Sequence, residues 1–413
     1  MTAPSQPASL DLSRFQPKAL LRRLESPVAP YYLLLGATGM LLLFGLVMVL
    51  SASSVTSYQA SGSSYTVFKN QAMYAVIGVI AAGAATRVSV RWWRLLALPA
   101  YAGAVLLQMA VFSPIGRTVQ GNRNWIGLGG FTVQPSEAGK IAIILVGAMI
   151  LTRKRKVLGE WRHVLIPFVF PLAIVLLGLV LLGHDLGTTM VLAAIAGAIL
   201  FVAGVRLRVF AFFGALTAAV ALAFVATNSN RSGRLDAWLG TCINAQSDGC
   251  YQKVHGLYAM ADGGWWGVGL GASREKWSWL PEAHNDFIFA IIGEELGLPG
   301  TLAVIALYVA LGYACYRLIV TSKDFFVRIA TAGVMAWILV QAMINVGSVT
   351  GLLPIIGVPL PLVSSGGSAL VTTLFALGMV ISFARNEPAC KAALAARPSA
   401  VKRTLAVLPL GRR

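Results

Sequence analysis

The feature that most constrains this chain is a series of apolar runs, each long enough to cross a lipid bilayer. Tyr31 to Leu50 is the first, and a helix rising 1.5 Å per residue needs about 20 such residues to cross the hydrocarbon layer. Further runs at 71–86, 95–112, 137–151, 165–182, 187–204, 209–226, 298–319, 326–347 and 367–384 bring the expected spans to ten. Backbone polar groups find no water inside hydrocarbon, so these runs must be helical. The expected fold class is all-α: a polytopic membrane protein with ten transmembrane helices and a long extracytoplasmic segment before the eighth. Its composition, 57% hydrophobic and 12% charged, excludes a soluble globular chain, in which charged residues make up about a quarter.

The expected organisation is a cytoplasmic tail over 1–29, a ten-helix membrane domain over 30–385 containing a large loop at 227–285, and a basic cytoplasmic tail over 386–413. The first 29 residues contain Arg14, Lys18, Arg22 and Arg23 but no apolar core, so no cleavable signal peptide is expected. A net charge of +18 could suggest nucleic acid. The basic residues instead fall in short clusters between apolar runs, which is a topology signal and predicts no nucleic-acid partner. With the N-terminus placed inside, 24 of the 33 Lys and Arg residues lie on that side and 8 on the other. Both termini are therefore expected in the cytoplasm, with 113–136, 227–285 and 348–366 outside.

Polar chemistry concentrates in Trp277 to Gly297, where Glu282, Asp286, Glu294 and Glu295 run directly into apolar sequence. An acid at the edge of hydrocarbon is costly unless paired or used, and Asp286 is the sharpest candidate. Asn285 or Asp286 would equally serve as the N-cap of the following helix, Glu294 and Glu295 as polar glue between helices, and His284 as a satisfied loop histidine. Phe287 to Ile292 is too short to span, and Gly297-Leu-Pro-Gly300 should break a helix. A short shallow helix in the outer leaflet is expected, the alternative being one long kinked helix from Asp286 to Leu318. Five of the ten tryptophans (Trp238, Trp265, Trp266, Trp277 and Trp279) fall in the outer segment, as an interfacial belt or as platforms for sugar rings.

Cys242 and Cys250 share the outer side, where oxidising conditions favour a disulfide. No cysteine has metal-ligand spacing with a histidine, and no glycine-rich phosphate loop is present, so no nucleotide is expected.

Seven motifs stand in order: Gly121-Asn-Arg-Asn-Trp-Ile126, Gln134-Pro-Ser-Glu-Ala-Gly-Lys140, His184-Asp-Leu-Gly-Thr188, Gly263-Gly-Trp-Trp-Gly-Val-Gly-Leu-Gly271, Pro281-Glu-Ala-His-Asn-Asp286, Gly293-Glu-Glu-Leu-Gly297 and Leu360-Pro-Leu-Val-Ser-Ser-Gly-Gly-Ser368. Together they resemble the SEDS family (shape, elongation, division and sporulation) of membrane glycosyltransferases over about residues 31 to 385. Val49-Leu-Ser-Ala-Ser53 is more similar to its cell-division branch than to its elongation branch.

The resemblance implies a peptidoglycan polymerase that uses lipid II, with the family's essential aspartate carried onto Asp286 as general base. It implies substrate contacts from Arg123, Glu137, Lys140, Asp185, Glu282, His284, Ser364 and Ser365. Arg123 and Lys140 are the cations expected at the lipid pyrophosphate. Lys140 lies one turn past Glu137, so an ion pair within one helix is its alternative, and helix capping is the alternative for Asp185. Asn124 stands where relatives usually carry Arg. A pyrophosphate beside several acids is compatible with Mg²⁺ or another divalent cation, although no motif specifies a metal. The implied partners are a class B penicillin-binding protein, other division proteins and membrane lipid, with small residues at Ala330 to Gly333 suited to close helix approach. The implied location is the bacterial cytoplasmic membrane at the division septum. A lipid II flippase and a non-catalytic division scaffold are the competing readings.

Overall fold

The computed structural model describes residues 25–396 apart from 120, 129–130, 159, 161–162, 164, 227–228, 241 and 243–247. Of the cytoplasmic tails expected at 1–29 and 386–413, residues 1–24 and 397–413 lie outside the described residues. Apolar runs become helices wherever the sequence supplies them without interruption. The first three are α1 (Ala29–Ser61), α2 (Thr66–Ala85) and α3 (Val90–Ala110). Then come α4 (Pro135–Arg153), α5 (Ile174–Leu182), α6 (Leu186–Val202) and α7 (Leu207–Ala226). The long connection carries α8 (Ser229–Leu239) and α9 (Asp248–Gly263), and the chain closes with α10 (Ile288–Thr321), α11 (Phe325–Val349), α12 (Ser368–Asn386) and α13 (Pro388–Ala395).

Among the described residues, seven of these helices are long and apolar enough to cross a membrane: α1, α2, α3, α4, α10, α11 and α12. The expected spans near 165–182 and 187–204 are present as the shorter apolar helices Ile166–Leu182 and Leu186–Val202. The first of these is irregular over Leu165–Ala173, where Ile166 and Phe170, each preceding a proline, leave helical geometry. Proline ring sterics disfavour helical φ/ψ at the residue before it. The span expected at 209–226 coincides with α7.

α4 is the centre of the bundle, with every residue from Ile141 to Leu151 buried. That explains its lack of an amphipathic pattern: a helix enclosed on all sides by other helices needs no polar face. It packs on α3, α6 and α11. Where Gly333 of α11 approaches, an added Cβ would meet Ile144 at 2.8 Å. Part of the small-residue stretch expected at a lipid-facing partner surface therefore serves packing inside the bundle, since Ala330, Thr331 and Ala332 are buried there too.

One departure from an all-helical chain is a three-stranded antiparallel sheet, β1 (Gly116–Val119), β2 (Asn122–Leu128) and β3 (Phe131–Val133), in strand order β1-β2-β3. It lies between α3 and α4, at the same end of the bundle as the long connection, and the two together make that end loop-rich. Arg123 N–H donates to the Gly183 carbonyl at 2.9 Å, which ties the sheet to the turn between α5 and α6.

The break expected over Gly297–Gly300 occurs at Gly297, whose φ of +65° is left-handed. It divides α10 into a short piece ending at Leu296 and a longer one beginning at Leu298. The short piece is fully buried from Ile288 to Glu295, enclosed by its neighbours in the bundle. The glycines explain how it is enclosed. An added Cβ at Gly263 would sit 1.9 Å from the Gly293 carbonyl oxygen and one at Gly267 2.3 Å from that of Glu295. The Gly263–Gly271 loop thus lies backbone against backbone on this helix, with Val268 N–H donating to Glu294 O at 2.9 Å and Gly269 N–H to Glu295 O at 3.0 Å.

Cys242 and Cys250 are disulfide-bonded across eight positions. A loop this short contributes roughly 2 to 3 kcal/mol to local order. Mass spectrometry of the unreduced protein is expected to give one linked peptide pair, and Cys242→Ser/Cys250→Ser to loosen α8 and α9 in hydrogen exchange while the bundle stays folded. Two free thiols in the exported protein would contradict the bond.

Candidate functional site

Among the described residues, four non-glycine residues adopt left-handed backbone, and all lie in segments at the loop-rich end: His184 (φ 66°), Ser278 (φ 71°), Glu282 (φ 56°) and Leu362 (φ 66°). Each such conformation costs on the order of 1 to 3 kcal/mol and persists only where surroundings over-determine it. Two of them, Glu282 and Leu362, belong to the motifs that meet around Asp286.

The turn carrying Asp286 is built from its own backbone and from the 360–368 segment. Asn285 N–H and Phe287 N–H both donate to the Glu282 carbonyl, and the Asn285 side-chain amide donates to the Glu282 carboxylate. The Ser364 hydroxyl donates to Asn285 O at 2.7 Å while accepting from Leu360 N–H at 2.8 Å. Ser365 N–H donates to His284 O at 3.0 Å. The Ser364 hydroxyl and the Ser365 amide thus join two motifs 79 or more positions apart. From below, Asn345 of α11 donates through Nδ2 to both Asp286 O (2.7 Å) and Val358 O (2.8 Å).

Asp286 is not a helix cap. The N-cap of α10 is Phe287, and no side chain bonds the first turn. Its carboxyl is half-buried and pushed up to about 7, first by desolvation, then by the Glu282 carboxylate and more weakly by Asp185, against the opposing pull of the Arg234 guanidinium. An acid balanced there is half-ionised near neutral pH, the condition that suits a general base. Beside it, burial lowers the pKa of His284, opposed by Glu282, so its imidazole is neutral at pH 7.

Asp185 gathers a second polar group. Its carboxylate accepts from Thr188 N–H and Thr188 Oγ1, each at 2.8 Å, which caps α6. Oδ2 also accepts from Asn124 Nδ2 at 2.7 Å and Gln134 Nε2 at 3.0 Å. Asn124, at the position where an arginine was expected, is buried and accepts from Gln108 Nε2 at 2.6 Å. A short amide fits that enclosed place and makes the junction between the sheet, α4 and α6.

The expected pyrophosphate cations are placed differently from each other. Arg123 is exposed and donates to the carbonyls of Val111, Phe112 and Ser113 at 3.2 to 3.3 Å, just past the C-terminus of α3. Lys140 is buried, 2.6 Å from Glu137, and its ammonium also reaches Gln341 Oε1 at 3.3 Å and the face of Trp337 at 4.9 Å. Glu137 accepts further from Thr372 at 3.3 Å. These two residues form the within-helix pair that their spacing offers.

Glu294 and Glu295 are buried and partnered. Glu294 accepts from Ser273 Oγ and from Arg274 N–H at 2.6 Å; Glu295 pairs with Lys276 at 3.1 Å and accepts from Ser51 at 2.7 Å. They anchor the loop after α9, the gluing role that the sequence allows. Of the tryptophans in that region, Trp265, Trp266, Trp277 and Trp279 are exposed.

Sequence reasoning did not single out Asn345, Gln341, Gly357 or Arg234. Two of these left a signal, because Asn345 and Gln341 are amides inside an apolar run. Gly357, with φ +77°, approaches the acid directly: a Cβ there would lie 3.4 Å from Asp286 Oδ2 and 3.9 Å from Arg234 Nη1. No group of three His, Cys, Asp or Glu side chains arranged to hold a metal occurs among the described residues.

Fold and site together define a polytopic membrane protein with a partly desolvated acid at one end of its bundle. A family model described as "Cell cycle protein", covering FtsW, RodA and SpoVE, matches residues 32–388, and the chain belongs to that family. It is 40% identical over 389 residues to a probable peptidoglycan glycosyltransferase FtsW of Mycobacterium tuberculosis, covering 94% of this chain and 74% of that one. It is 35% identical over 361 residues to stage V sporulation protein E of Bacillus subtilis, covering 86% and 97%. Its fold is similar to a chain of a peptidoglycan synthase complex that coordinates polymerisation and crosslinking (TM-score 0.69, 23% identity, covering 86% and 97%). It is also similar to Thermus thermophilus RodA (TM-score 0.64, 23% identity, covering 86% and 96%).

Proposed function

We propose that this chain is a peptidoglycan glycosyltransferase of cell division that polymerises lipid II at the outer face of the cytoplasmic membrane, with Asp286 as general base. The observation that carries the reading is Asp286 itself: relieved of helix capping, supported from three segments, and titrating at about 7. In the reaction, the acceptor sugar 4-hydroxyl oxygen attacks the donor anomeric carbon and gives its proton to the Asp286 carboxylate. The anomeric carbon–oxygen bond breaks, and undecaprenyl pyrophosphate leaves as a stable anion. That leaving group needs no general acid, unlike the alkoxide of a glycosidase. One displacement converts an α-linked donor into a β-1,4 link.

Several features support the orientation and partner. The Lys and Arg bias supports an orientation with the loop-rich end outside, where lipid-linked sugars for wall synthesis would be displayed. The complex to which the fold is similar joins polymerisation to crosslinking, and a class B penicillin-binding protein would supply the crosslinking step here, at the division septum. Polar motifs gather at one end of the bundle rather than midway, which favours an enzyme over a flippase.

The test is polymerisation by the purified full chain in detergent or vesicles, with lipid II alone and with a candidate transpeptidase. Glycan strands are expected, with yield rising when the partner is present. Translocation of lipid II without strand synthesis under both conditions would replace this reading with the flippase.

A further inference from the structure

The Asp286 site is acidic: the Glu282 and Asp185 carboxylates both act on Asp286. A donor carrying a multiply charged pyrophosphate cannot approach such a place without a cation at its edge. Most candidates are committed elsewhere. Lys140 is buried against Glu137, and Lys276 is buried against Glu295. Arg123 is spread over the carbonyls after α3.

Arg234, on α8 in the long connection, is placed differently. Its Nη1 and Asp286 Oδ2 converge on the one spot left open by the missing side chain of Gly357. Arg234 also lines a small crevice of about 10 Å³ together with Lys253, Trp238, Gly351 and Ser348. Lys253 of α9 donates to Ala237 O at 2.9 Å and Trp238 O at 3.4 Å, which ties it to α8 a few residues past Arg234.

Resting on the reading of Asp286 as the base, we propose that Arg234, with Lys253 lining the same crevice, receives the pyrophosphate of the lipid-linked donor at the edge of the Asp286 site. A planar guanidinium offers a paired set of N–H donors that matches phosphate oxygens. The placement serves chemistry as well as binding. Without a cation between them, the donor's negative charge would further disfavour the ionised carboxylate that must take the proton. α8 and α9 then become part of the donor site rather than a covering loop.

The experiment uses the full chain in nanodiscs, with undecaprenyl pyrophosphate as binding probe and undecaprenol as the uncharged control. Arg234→Gln is expected to weaken pyrophosphate binding by about 10- to 100-fold, the range for lost hydrogen bonds to a charged group. Undecaprenol binding and the thermal unfolding midpoint should not change. Arg234→Lys keeps the charge without the paired donors and should lose only part of the affinity. The polymerisation pH profile of Arg234→Gln should move to higher pH, because Asp286 then faces Glu282 and Asp185, with neutral His284 nearby and no opposing guanidinium. Unchanged pyrophosphate affinity in folded Arg234→Gln overturns the proposal. So does an equal loss in both variants accompanied by a lowered midpoint, which marks a structural residue. Asp286→Asn separates the two ideas, since it should retain pyrophosphate binding through Arg234. If that variant still polymerises, the base assignment fails while the binding comparison at Arg234 stands on its own.

Discussion

Asp286→Asn is expected to abolish glycan synthesis by about two to four orders of magnitude, the usual contribution of a positioned base, while leaving folding and lipid binding intact. Asn keeps the size of the side chain but cannot accept a proton near neutral pH. The change removes no helix cap, because α10 is capped at Phe287 without a side-chain bond, and Asn345 holds Asp286 through its main-chain oxygen. In the wild type, synthesis should rise with pH through about 7, where burial and the neighbouring Glu282 place the carboxyl. The stability effect has a definite sign. The folded-state pKa lies above the ordinary value of 3.8, so the folded protein retains a proton that the unfolded chain releases. Stability contributed by the protonated acid is present below about 4 and is lost as pH rises toward 7. Asp286→Asn should therefore unfold at a higher temperature than wild type at pH 8, with a gain on the order of 1 to 3 kcal/mol that shrinks at pH 5. Polymerisation at the wild-type rate by the folded variant would remove Asp286 from the reaction.

The helices were legible because a bilayer sets their length and hydropathy, and the Gly297 break was legible because Gly-Leu-Pro-Gly cannot continue a helix. Between Leu165 and Ala173 the same hydropathy gave no warning of an irregular path. There the prolines at 167 and 171, rather than the apolar pattern, decide the backbone. The sheet from Gly116 to Val133 was also missed, although Thr118-Val119, Trp125-Ile126 and Phe131-Thr-Val133 carry β-branched and aromatic residues typical of strands. Strands of three to seven residues are too short to stand out in hydropathy beside membrane-length runs.

At the site, the acid could be found from sequence because a carboxylate beside hydrocarbon is unusual. Its supports could not. Asn345 reaches Asp286 across 59 positions, Ser364 reaches Asn285 across 79, and Gly357 matters for what it leaves empty. Such pairings follow from how helices close around one another, which local periodicity does not encode. Arg234 stood in the sequence as one outer cation among several; only the packing of α8 over the 357 turn sets it apart.

Lys140→Gln is expected to act on folding first. The Lys140–Glu137 pair is buried at 2% and 5% side-chain exposure, and its remaining bonding capacity is met by Gln341, Thr372 and the Trp337 face. Gln341 continues the network, accepting from Trp337 Nε1 at 2.8 Å and donating to Pro359 O at 2.9 Å. The pair thus braces the segment that begins at Gly357 beside Asp286. Removing one partner leaves the other charge buried without compensation, which costs about 3 to 5 kcal/mol. Replacing both with groups of similar volume removes that penalty. Thermal unfolding should therefore rank the single variants Glu137→Gln and Lys140→Gln well below wild type, and Glu137→Gln/Lys140→Met above either. A lysine that instead bound the lipid pyrophosphate would give a different result: Lys140→Gln would melt like wild type and bind undecaprenyl pyrophosphate more weakly, and Glu137→Gln would do nothing to correct it. Recovery of the midpoint in the double variant assigns the pair to the bundle; failure to recover, together with a selective loss of pyrophosphate affinity, assigns Lys140 to the donor.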